Sequence, residues 1–340
     1  MSVPDLVTFI KSSIQLRNDD RAVASMVRRL KLTSRLDAST VEDLQGLGAG
    51  PQTLAALRAL VTATASLPPA QPVAPPPPPA VIPPPSPEEL KKILSEITAK
   101  ALDYTKNLPN FICAQVTTRS YDPSGTESWR LVDKVQEQLS YVDGKEDYKV
   151  ILVNNLPVTN VRHDQLGGIT SSGEFGTMLY QIFAPQSQAE FEWERWATLR
   201  RRRMHVFGFR VAQAHSDYSI KDETSGRTIV AGYHGLVYAD AETRQVMRIK
   251  MDCDGLEAFP ISQVSLTLDY APTTISDLEF VLPMAAEVRS RTGRALGRNQ
   301  IQFSLYRKFT SDATITFDTP DPVPEDQLQE QPASPLPGKQ

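Results

Sequence analysis

The sequence predicts an α+β protein: a small helical domain, then a proline-rich linker, then a large antiparallel β-sheet. Before residue 66, apolar residues recur at the spacing of amphipathic helices. Residues 68–87 hold twelve of the 27 prolines, and such a run fits neither a helix nor a central strand. From Phe111 onward, segments rich in valine, threonine and aromatic residues follow one another with short connections, which is typical of antiparallel strands.

The N-terminal domain, residues 1–66, is predicted to contain four helices. PDLVTFIKSSI has apolar residues at helical spacing, and the polar residues 18–20 can cap a second helix through AVASMVRRL. Ser39 followed by Glu42 reads as a capping box for the third helix, TVEDLQGL. Pro51 can start the fourth, QTLAALRALV, because proline is favoured at the first helical position.

The segment DLQGLGAGPQTLAAL resembles the helix-hairpin-helix motif, with Gly48 and Gly50 in the turn. In that family the amides of the turn hold a DNA phosphate, so the resemblance implies a phosphate contact at these two glycines. This turn departs from the motif in its small hydrophobe, Ala49, and in having no basic residue before Arg58. The alternative is a helical hairpin used for packing or for contact with a protein, and nucleic acid is not the expected partner.

Residues 67–86 are predicted to form a polyproline II linker, which extends by about 3.1 Å per residue. It either acts as a stiff spacer or presents its PxxP patterns to a proline-recognising domain. A protein partner for the helical domain or for this linker is therefore one expectation of the sequence.

The β-rich domain is predicted to span residues 87–318. Ser86 and Glu89 form a capping box that opens a helix through PEELKKILSEITAKALDYTKN. Strands follow, with a two-residue hairpin turn at Asp143-Gly144 and a helical interlude over residues 174–198. The proline-rich and polar residues 319–340 are expected to form a disordered tail.

The loop GGITSSGEFGTML raises the question of a serine nucleophile at Ser171 or Ser172. Neither serine has the Gly-x-Ser-x-Gly spacing of a nucleophile elbow, and the nearest base in sequence is His163. The alternative is a loop that caps the following helix, with one of the serines at the N-cap and Glu174 in the first turn. Four scattered histidines and two scattered cysteines give no metal motif, and no phosphate-loop motif is present. No enzymatic activity and no cofactor are expected.

The segment FEWERWATLRRRRMHVF places Trp193 and Trp196 three residues apart, on one side of the predicted helix. Arg200 to Arg203 follow at its end. One hypothesis is an aromatic and basic patch for a membrane surface or an anionic partner. The other is that the tryptophans pack the helix on the sheet while the arginines remain solvated at its C-terminus.

The net charge of −4 argues against bulk attraction to nucleic acid or anionic lipid. No apolar run reaches the 18 residues expected of a membrane-spanning helix, and the start MSVPDLVTFIKSS does not have the pattern of a signal peptide. The chain is cytoplasmic, or its export signal lies outside this sequence. Cys113 and Cys253 are isolated buried thiols in the first case, whereas an exported protein would favour a disulfide between them.

The order of elements over residues 87–318 resembles the periplasmic lipoprotein-sorting and lipoprotein-localisation proteins and the related sensor domains of envelope-stress regulators. The most similar piece is YHGLVYADAETRQVMRIKMD, residues 233–252, which reads as a strand, a turn and a return strand. The resemblance implies a curved antiparallel sheet, a half-barrel, with helices covering its mouth. It also implies binding of acyl chains, a lipid-modified protein or another apolar ligand between sheet and helices.

The resemblance implies a non-enzymatic bacterial envelope protein, periplasmic or otherwise exported, whose partner is a lipid or a lipid-modified protein. The glycines before the interlude would then be a hinge of a cover helix. Alternatives are a structural or interaction scaffold, and nucleic-acid binding through the N-terminal hairpin. The candidate ligand or partner contacts are Ser172, Glu174, Phe175, Trp193, Trp196, Arg200 and Arg201.

Overall fold

A computed structural model describes residues 1–15, 18–69, 82–159, 161–163, 166, 175–222, 224–309 and 323–333 of the chain. The chain divides into two compact units, Met1–Pro78 and Pro79–Gln340, and the boundary falls within the proline-rich stretch. No helix in the described part of the chain is long and apolar enough to cross a membrane.

The N-terminal unit contains the four expected helices: α1 (Val3–Gln15), α2 (Asp20–Val27), α3 (Ala38–Gly46) and α4 (Pro51–Ala63). The cap of α2 is confirmed, since the Asp19 carboxylate accepts a hydrogen bond from the Ala22 amide at 2.9 Å. The capping box at Ser39 and Glu42 is wrong. Helix α3 begins one residue before Ser39, with Asp37 as an N-cap that makes no side-chain cap bond.

The turn between α3 and α4 is filled by a carboxylate of the protein itself. Asp20, at the start of α2, accepts hydrogen bonds from the amides of Gln52 (2.9 Å) and Thr53 (3.0 Å) in the first turn of α4. A Cβ added to Gly50 would lie 2.3 Å from Cγ of Asp20. Asp20 therefore occupies the place that the helix-hairpin-helix resemblance assigned to a DNA phosphate, beside Gly48 and Gly50.

Replacing Asp20 by Ala is expected to destabilise the N-terminal unit by about 1–2 kcal/mol, because two amides at a helix N-terminus lose their acceptor. Amide hydrogen exchange at Gln52 and Thr53 would report the loss directly. Glu42→Ala is the matched control, because Glu42 is exposed on α3. A loss of protection as large in Glu42→Ala as in Asp20→Ala would contradict this account.

The β unit opens with α5 (Pro87–Asp103), and its capping box is confirmed. The Glu89 amide donates to Ser86 Oγ (3.3 Å), and the Ser86 amide donates to Glu89 Oε2 (2.8 Å). The strands that follow are β1 (Phe111–Asp122), β2 (Arg130–Val142), β3 (Lys145–Val153), β4 (Leu156–Pro157), β5 (Glu190–Leu199), β6 (Arg202–Val211), β7 (Ser219–Lys221), β8 (Thr228–Val230), β9 (Gly232–Asp240), β10 (Val246–Asp254), β11 (Ile261–Ile275), β12 (Leu278–Thr292), β13 (Ala295–Lys308) and β14 (Glu330–Gln331). Two helices complete the unit, α6 (Thr177–Phe183) and α7 (Glu325–Leu328).

Twelve of these strands form one curved sheet, in the order β14-β5-β6-β9-β10-β11-β12-β13-β1-β2-β3-β4. The paired strands run antiparallel, and β14 and β4 stand at the two ends, so the sheet is not closed into a barrel. The predicted hairpin turn at Asp143-Gly144 is present, with φ of 51° and 77°. Positive φ at both central residues gives the twist that a tight hairpin requires.

Side chains alternate between two faces of this sheet. On the helix-covered face, Phe111 and Cys113 of β1 stand opposite Tyr141 and Leu139 of β2, and they share one apolar core with α5 and α6. The open face carries polar and charged residues at the intervening positions, among them Thr118, Lys134, Thr267, Lys250 and Glu287. The two faces therefore offer different chemistry.

The predicted helical interlude over residues 174–198 is wrong in its extent. Only Thr177–Phe183 forms a helix, and Trp193 and Trp196 lie in strand β5. A bulge between Trp193 and Arg195 shifts the register by one residue, so two tryptophans three apart face the same way, as they would on a helix. Arg200 and Arg201 form the turn from β5 to β6, with φ of 49° and 62°.

The tail prediction is corrected for residues 323–333. This segment forms α7 and β14, and β14 pairs with the end of β5 at Leu199 and Thr198. The remaining residues of the predicted tail, 319–322 and 334–340, lie outside the described part of the chain.

Both cysteines are free thiols, so the disulfide that the sequence left open is not formed. Cys113 lies in β1 and Cys253 in β10, and three strands separate β1 from β10 in the sheet. Burial raises the pKa of Cys113 well above its usual value and that of Cys253 to about 12. Thiols held protonated in this way are poor nucleophiles.

Candidate functional site

An aromatic cluster under the helices is centred on Phe175, one of the residues that the sequence nominated. Its side chain is 1% exposed, and its ring centroid lies 5.4 Å from those of Phe111 and Phe303 and 6.3 Å from that of Tyr141. Phe175 stands two residues before α6. It therefore anchors the start of this helix on the sheet through its ring contacts, and its backbone amide also donates to Glu146 Oε1 at 3.3 Å.

Helix α6 covers the sheet beside this cluster. One side of the helix is buried in the core: Met178, Leu179, Ile182 and Phe183. Tyr180, on the other side, is exposed. Tyr233 of β9 donates a hydrogen bond from its hydroxyl to the carbonyl of Gln181 at 2.9 Å, which links the sheet to the helix backbone.

Helix α5 is the larger cover and is tied to the sheet by polar contacts at its edge. Ile93, Ile97 and Ala101 are buried in the same core. Glu96 accepts a hydrogen bond from Arg244 Nε at 3.0 Å, and Arg244 lies in the turn between β9 and β10. Trp196 donates from Nε1 to the carbonyl of Pro83 at 3.0 Å and so holds the chain just before α5.

The apolar compartment between helices and sheet contains polar atoms without partners among the described residues. The hydroxyls of Tyr104 and Tyr141 and Oε1 of Gln115 are buried and make no hydrogen bond to any residue that the structure describes. Burial raises the pKa of both tyrosines, that of Tyr104 well above the usual value. A buried polar group left unsatisfied costs about 1–3 kcal/mol, so these atoms mark where a ligand could donate or accept.

The helix-covered face becomes polar along β1 and β2. Beyond the apolar positions, the side-chain amide of Gln115 donates to Glu137 Oε2 at 3.1 Å, and Glu137 Oε1 lies 2.9 Å from His163 Nδ1. Further along, Arg119 Nε donates to Asp133 Oδ1 at 2.6 Å. The face thus offers an apolar region continuous with a charged one, an arrangement suited to an amphipathic molecule.

Of the other nominated residues that the structure describes, Trp193 and Trp196 contact each other, with ring centroids 5.9 Å apart, whereas Arg200 and Arg201 lie in the turn after them. Ser171, Ser172 and Glu174 lie outside the described residues. Trp193 packs against the core, whereas Arg201 is exposed in the β5–β6 turn. Arg200 turns inward and donates to Asp269 Oδ1 at 2.9 Å.

Sequence reasoning missed Gln115, Glu137, Tyr104 and Tyr141. One signal could have found Gln115: in FICAQVTTRS it follows Phe111 and Cys113 at a period of two and so falls on the buried side. No group of three metal-ligating side chains is found in the described ranges.

His205 gives the β unit a specific pH dependence. It is 2% exposed on β6, its ring centroid lies 4.3 Å from that of Trp196, and burial followed by the charge of Arg244 lowers its pKa to about 4. The unfolded chain binds this proton near pH 6.5, so stability falls as the pH drops from 6.5 to 4, by up to about 3 kcal/mol.

His205→Gln should flatten that decline, measured by urea unfolding at pH 7 and pH 4.5 with tryptophan fluorescence. His215→Gln, at an exposed histidine, should leave the decline unchanged, and an equal effect of both would contradict the assignment.

The fold and the site define a class: an open, curved antiparallel sheet with a helix-covered apolar compartment that ends in buried polar groups.

No family model matches this sequence, and no curated protein matches it significantly. Among solved structures, a putative outer membrane lipoprotein-sorting protein domain from Vibrio parahaemolyticus is 10% identical, at TM-score 0.32, over 66% of this chain and 94% of that one. A DUF1329 family protein from Desulfovibrio piger is 10% identical, at TM-score 0.31, over 66% and 94%. A LolA superfamily protein from Nitrosomonas europaea is 7% identical, at TM-score 0.29, over 65% and 93%. The lipoprotein-sorting name of the first of these neighbours is that of the family that the sequence resembles.

Proposed function

We propose that the β unit is a non-enzymatic binding module of the bacterial envelope that holds an apolar or amphipathic ligand on its helix-covered face. The ligand class is a lipid or a lipid-modified protein. The observation that carries the proposal is the pair of buried hydroxyls on Tyr104 and Tyr141, which stand in an apolar compartment without partners among the described residues. A fold stabilised only by packing would gain from phenylalanine at both positions.

The compartment fits a molecule with two chemical ends. Helix α6 has only seven residues and buries only one side, so it is the cover that a ligand would displace. An acyl chain would then occupy the place of the apolar side chains that α6 inserts into the core. An ester or head group would meet the two tyrosine hydroxyls and, beyond them, Gln115 and Glu137. Each of these groups lies on the same face of the sheet or on the chain that follows α5.

The test is native mass spectrometry of the full chain, after incubation with vesicles of phosphatidylethanolamine and phosphatidylglycerol. We expect an adduct of a few hundred daltons or more that is lost on denaturation. The Tyr104→Phe/Tyr141→Phe variant should reduce the adduct by about tenfold or more, as expected for the loss of about 1.4 kcal/mol of polar contact. Its unfolding free energy should stay equal or rise. Tyr180→Phe, at an exposed tyrosine on α6, is the matched control and should retain the adduct.

A scaffold role is the second candidate, and one observation favours it. Phe175 and the buried side of α6 already fill the space between helix and sheet with the protein's own side chains. The scaffold role would replace lipid binding if two results came together. The polypeptide would carry no adduct after incubation with lipid, and the Tyr104→Phe/Tyr141→Phe variant would only gain stability. The N-terminal hairpin offers less for nucleic acid, since Asp20 fills the anion position at α4.

A further inference from the structure

The C-terminal segment, residues 323–333, lies against the open face of the sheet. The segment borders a groove of about 950 Å³ on this face. The sheet lines the groove with both charges, including Arg248, Lys250 and Asp269. This face is opposite the helix-covered compartment, so the site is independent of the lipid proposal.

One side chain of the segment is recognised specifically. Arg195 Nη2 donates to both carboxylate oxygens of Glu330, at 2.8 and 3.0 Å, and the Tyr238 hydroxyl donates to Glu330 Oε2 at 2.8 Å. Burial, followed by the contact with Glu330, raises the pKa of Tyr238 to about 12. The hydroxyl therefore remains a hydrogen-bond donor at neutral pH. A guanidinium and a phenol converging on one carboxylate form a built receptor for an acidic side chain.

The remaining polar contacts hold the backbone of the segment. Arg248 Nη2 donates to the carbonyl of Leu328 at 2.6 Å, and the Arg248 side chain is itself almost completely buried. Two backbone pairings, Glu330 with Leu199 and Gln331 with Thr198, add β14 to the edge of the sheet beside β5. Contacts to carbonyls and amides do not depend on sequence. Any chain that follows the backbone path of residues 328–331 and carries a glutamate in the same register could make them.

The β5 edge continues beyond the two paired residues. β14 covers only Thr198 and Leu199, whereas β5 runs from Glu190 to Leu199 and has β6 on its other side. Among the residues that the structure describes, no other strand pairs with the rest of this edge of β5. An unpaired edge is a template for pairing with another chain.

We propose that the open face is a binding site for a glutamate-bearing segment of a partner protein that adds a short strand to the sheet, and that residues 323–333 hold this site in cis. The contacts define what the partner must supply. It needs a glutamate carboxylate that accepts from Arg195 and Tyr238, and a backbone carbonyl two residues earlier that accepts from Arg248. It also needs a short strand that pairs with the edge of β5. Charge is complementary, because the occupying segment carries Glu325, Asp326 and Glu330 and no basic residue. A tethered segment has an effective concentration of the order of millimolar, so a partner binds when the segment is displaced or released.

The experiment uses the full chain carrying Glu330→Lys, which leaves every receptor residue intact and repels the segment from Arg195. A fluorescein-labelled peptide with the sequence of residues 323–333 is the probe, and fluorescence anisotropy is the readout. We expect the peptide to bind the Glu330→Lys chain at least about tenfold more tightly than the wild type, whose site is occupied. A peptide with glutamine at position 330 should bind about tenfold more weakly, and Arg195→Ala in the Glu330→Lys chain should abolish the difference between the two peptides.

Hydrogen exchange of residues 323–333 in the Glu330→Lys chain accompanies the titration and should show the segment released. Persistent protection there would overturn the proposal, because Glu330 would then not be what holds the segment. If the peptide bound the wild type and the variant with equal affinity, it would be binding outside the groove that residues 323–333 occupy. That result would also overturn the proposal. A wild-type dimer in light scattering that dissociates on Glu330→Lys would make a second copy of this chain the occupant, in place of a partner protein.

Discussion

Replacing Arg248 by Met is expected to lower the free energy of unfolding of the β unit by about 3–5 kcal/mol, the range for breaking a buried ion pair from one side. The Arg248 side chain is 2% exposed, and it donates from Nε and Nη2 to the two carboxylate oxygens of Asp269, each at 2.9 Å. Without it, Asp269 stays buried with Arg200 as its remaining cation. The carbonyl of Leu328 also loses its donor.

Urea unfolding followed by tryptophan fluorescence measures this effect. Arg210→Met is the control, because Arg210 pairs with Asp254 at 2.8 Å on an exposed part of the sheet, and an exposed pair contributes about 1 kcal/mol or less. The double variant Arg248→Met/Asp269→Leu should lose less stability than Arg248→Met alone, since the buried carboxylate is removed together with its partner, and Arg200 keeps its hydrogen bonds to the carbonyls of Met247 and Tyr270. Equal losses in Arg248→Met and Arg210→Met would contradict the buried-pair account.

The elements that the sequence predicted best are those whose signals are local. Ser86 and Glu89 contact each other within one helical turn, so the capping box appears in the sequence as a spacing of three. Asp143-Gly144 supplies the positive φ of its own turn. In each case the residues that carry the signal also make the contact, and no distant part of the chain is needed.

The elements that the sequence missed depend on distant partners. Trp193 and Trp196 mimic helical spacing only because a bulge shifts the strand, and the bulge is defined by pairing with β6. The segment 323–333 is polar and proline-rich, so by itself it indicates disorder. Its order comes from partners far away in the chain, among them Arg195, 135 residues before Glu330. No local pattern contains that contact.

The candidate site was predicted in the same uneven way. Phe175 was nominated through its place beside a presumed cover helix, and it lies in the core under that helix. Tyr104 and Tyr141 could not be nominated, because a hydroxyl without a partner is a property of its three-dimensional surroundings. In sequence, both residues read as ordinary members of an apolar pattern.

Replacing Phe175 by Ala is expected to cost about 3–5 kcal/mol, the range for truncating a buried aromatic side chain. The ring contacts Phe111, Tyr141 and Phe303 together, so its loss leaves a cavity in the middle of the cluster. Urea unfolding gives the free energy, and hydrogen exchange gives the location, because the amides of Leu179 to Phe183 report on α6. Tyr180→Ala removes a ring of similar size from the exposed side of α6 and should cost less than about 1 kcal/mol.

The pattern of exchange in Phe175→Ala separates the two functions proposed for the β unit. If α6 loses protection while the strands keep theirs, the helix opens as a unit of its own, as displacement by an acyl chain requires. We expect this result, because Phe175 holds the chain just before α6 and only one side of the helix is buried. If α6 and the strands lose protection together, the helix is an inseparable part of the core. A protein built in that way would present surfaces to partners and keep its interior closed to ligands.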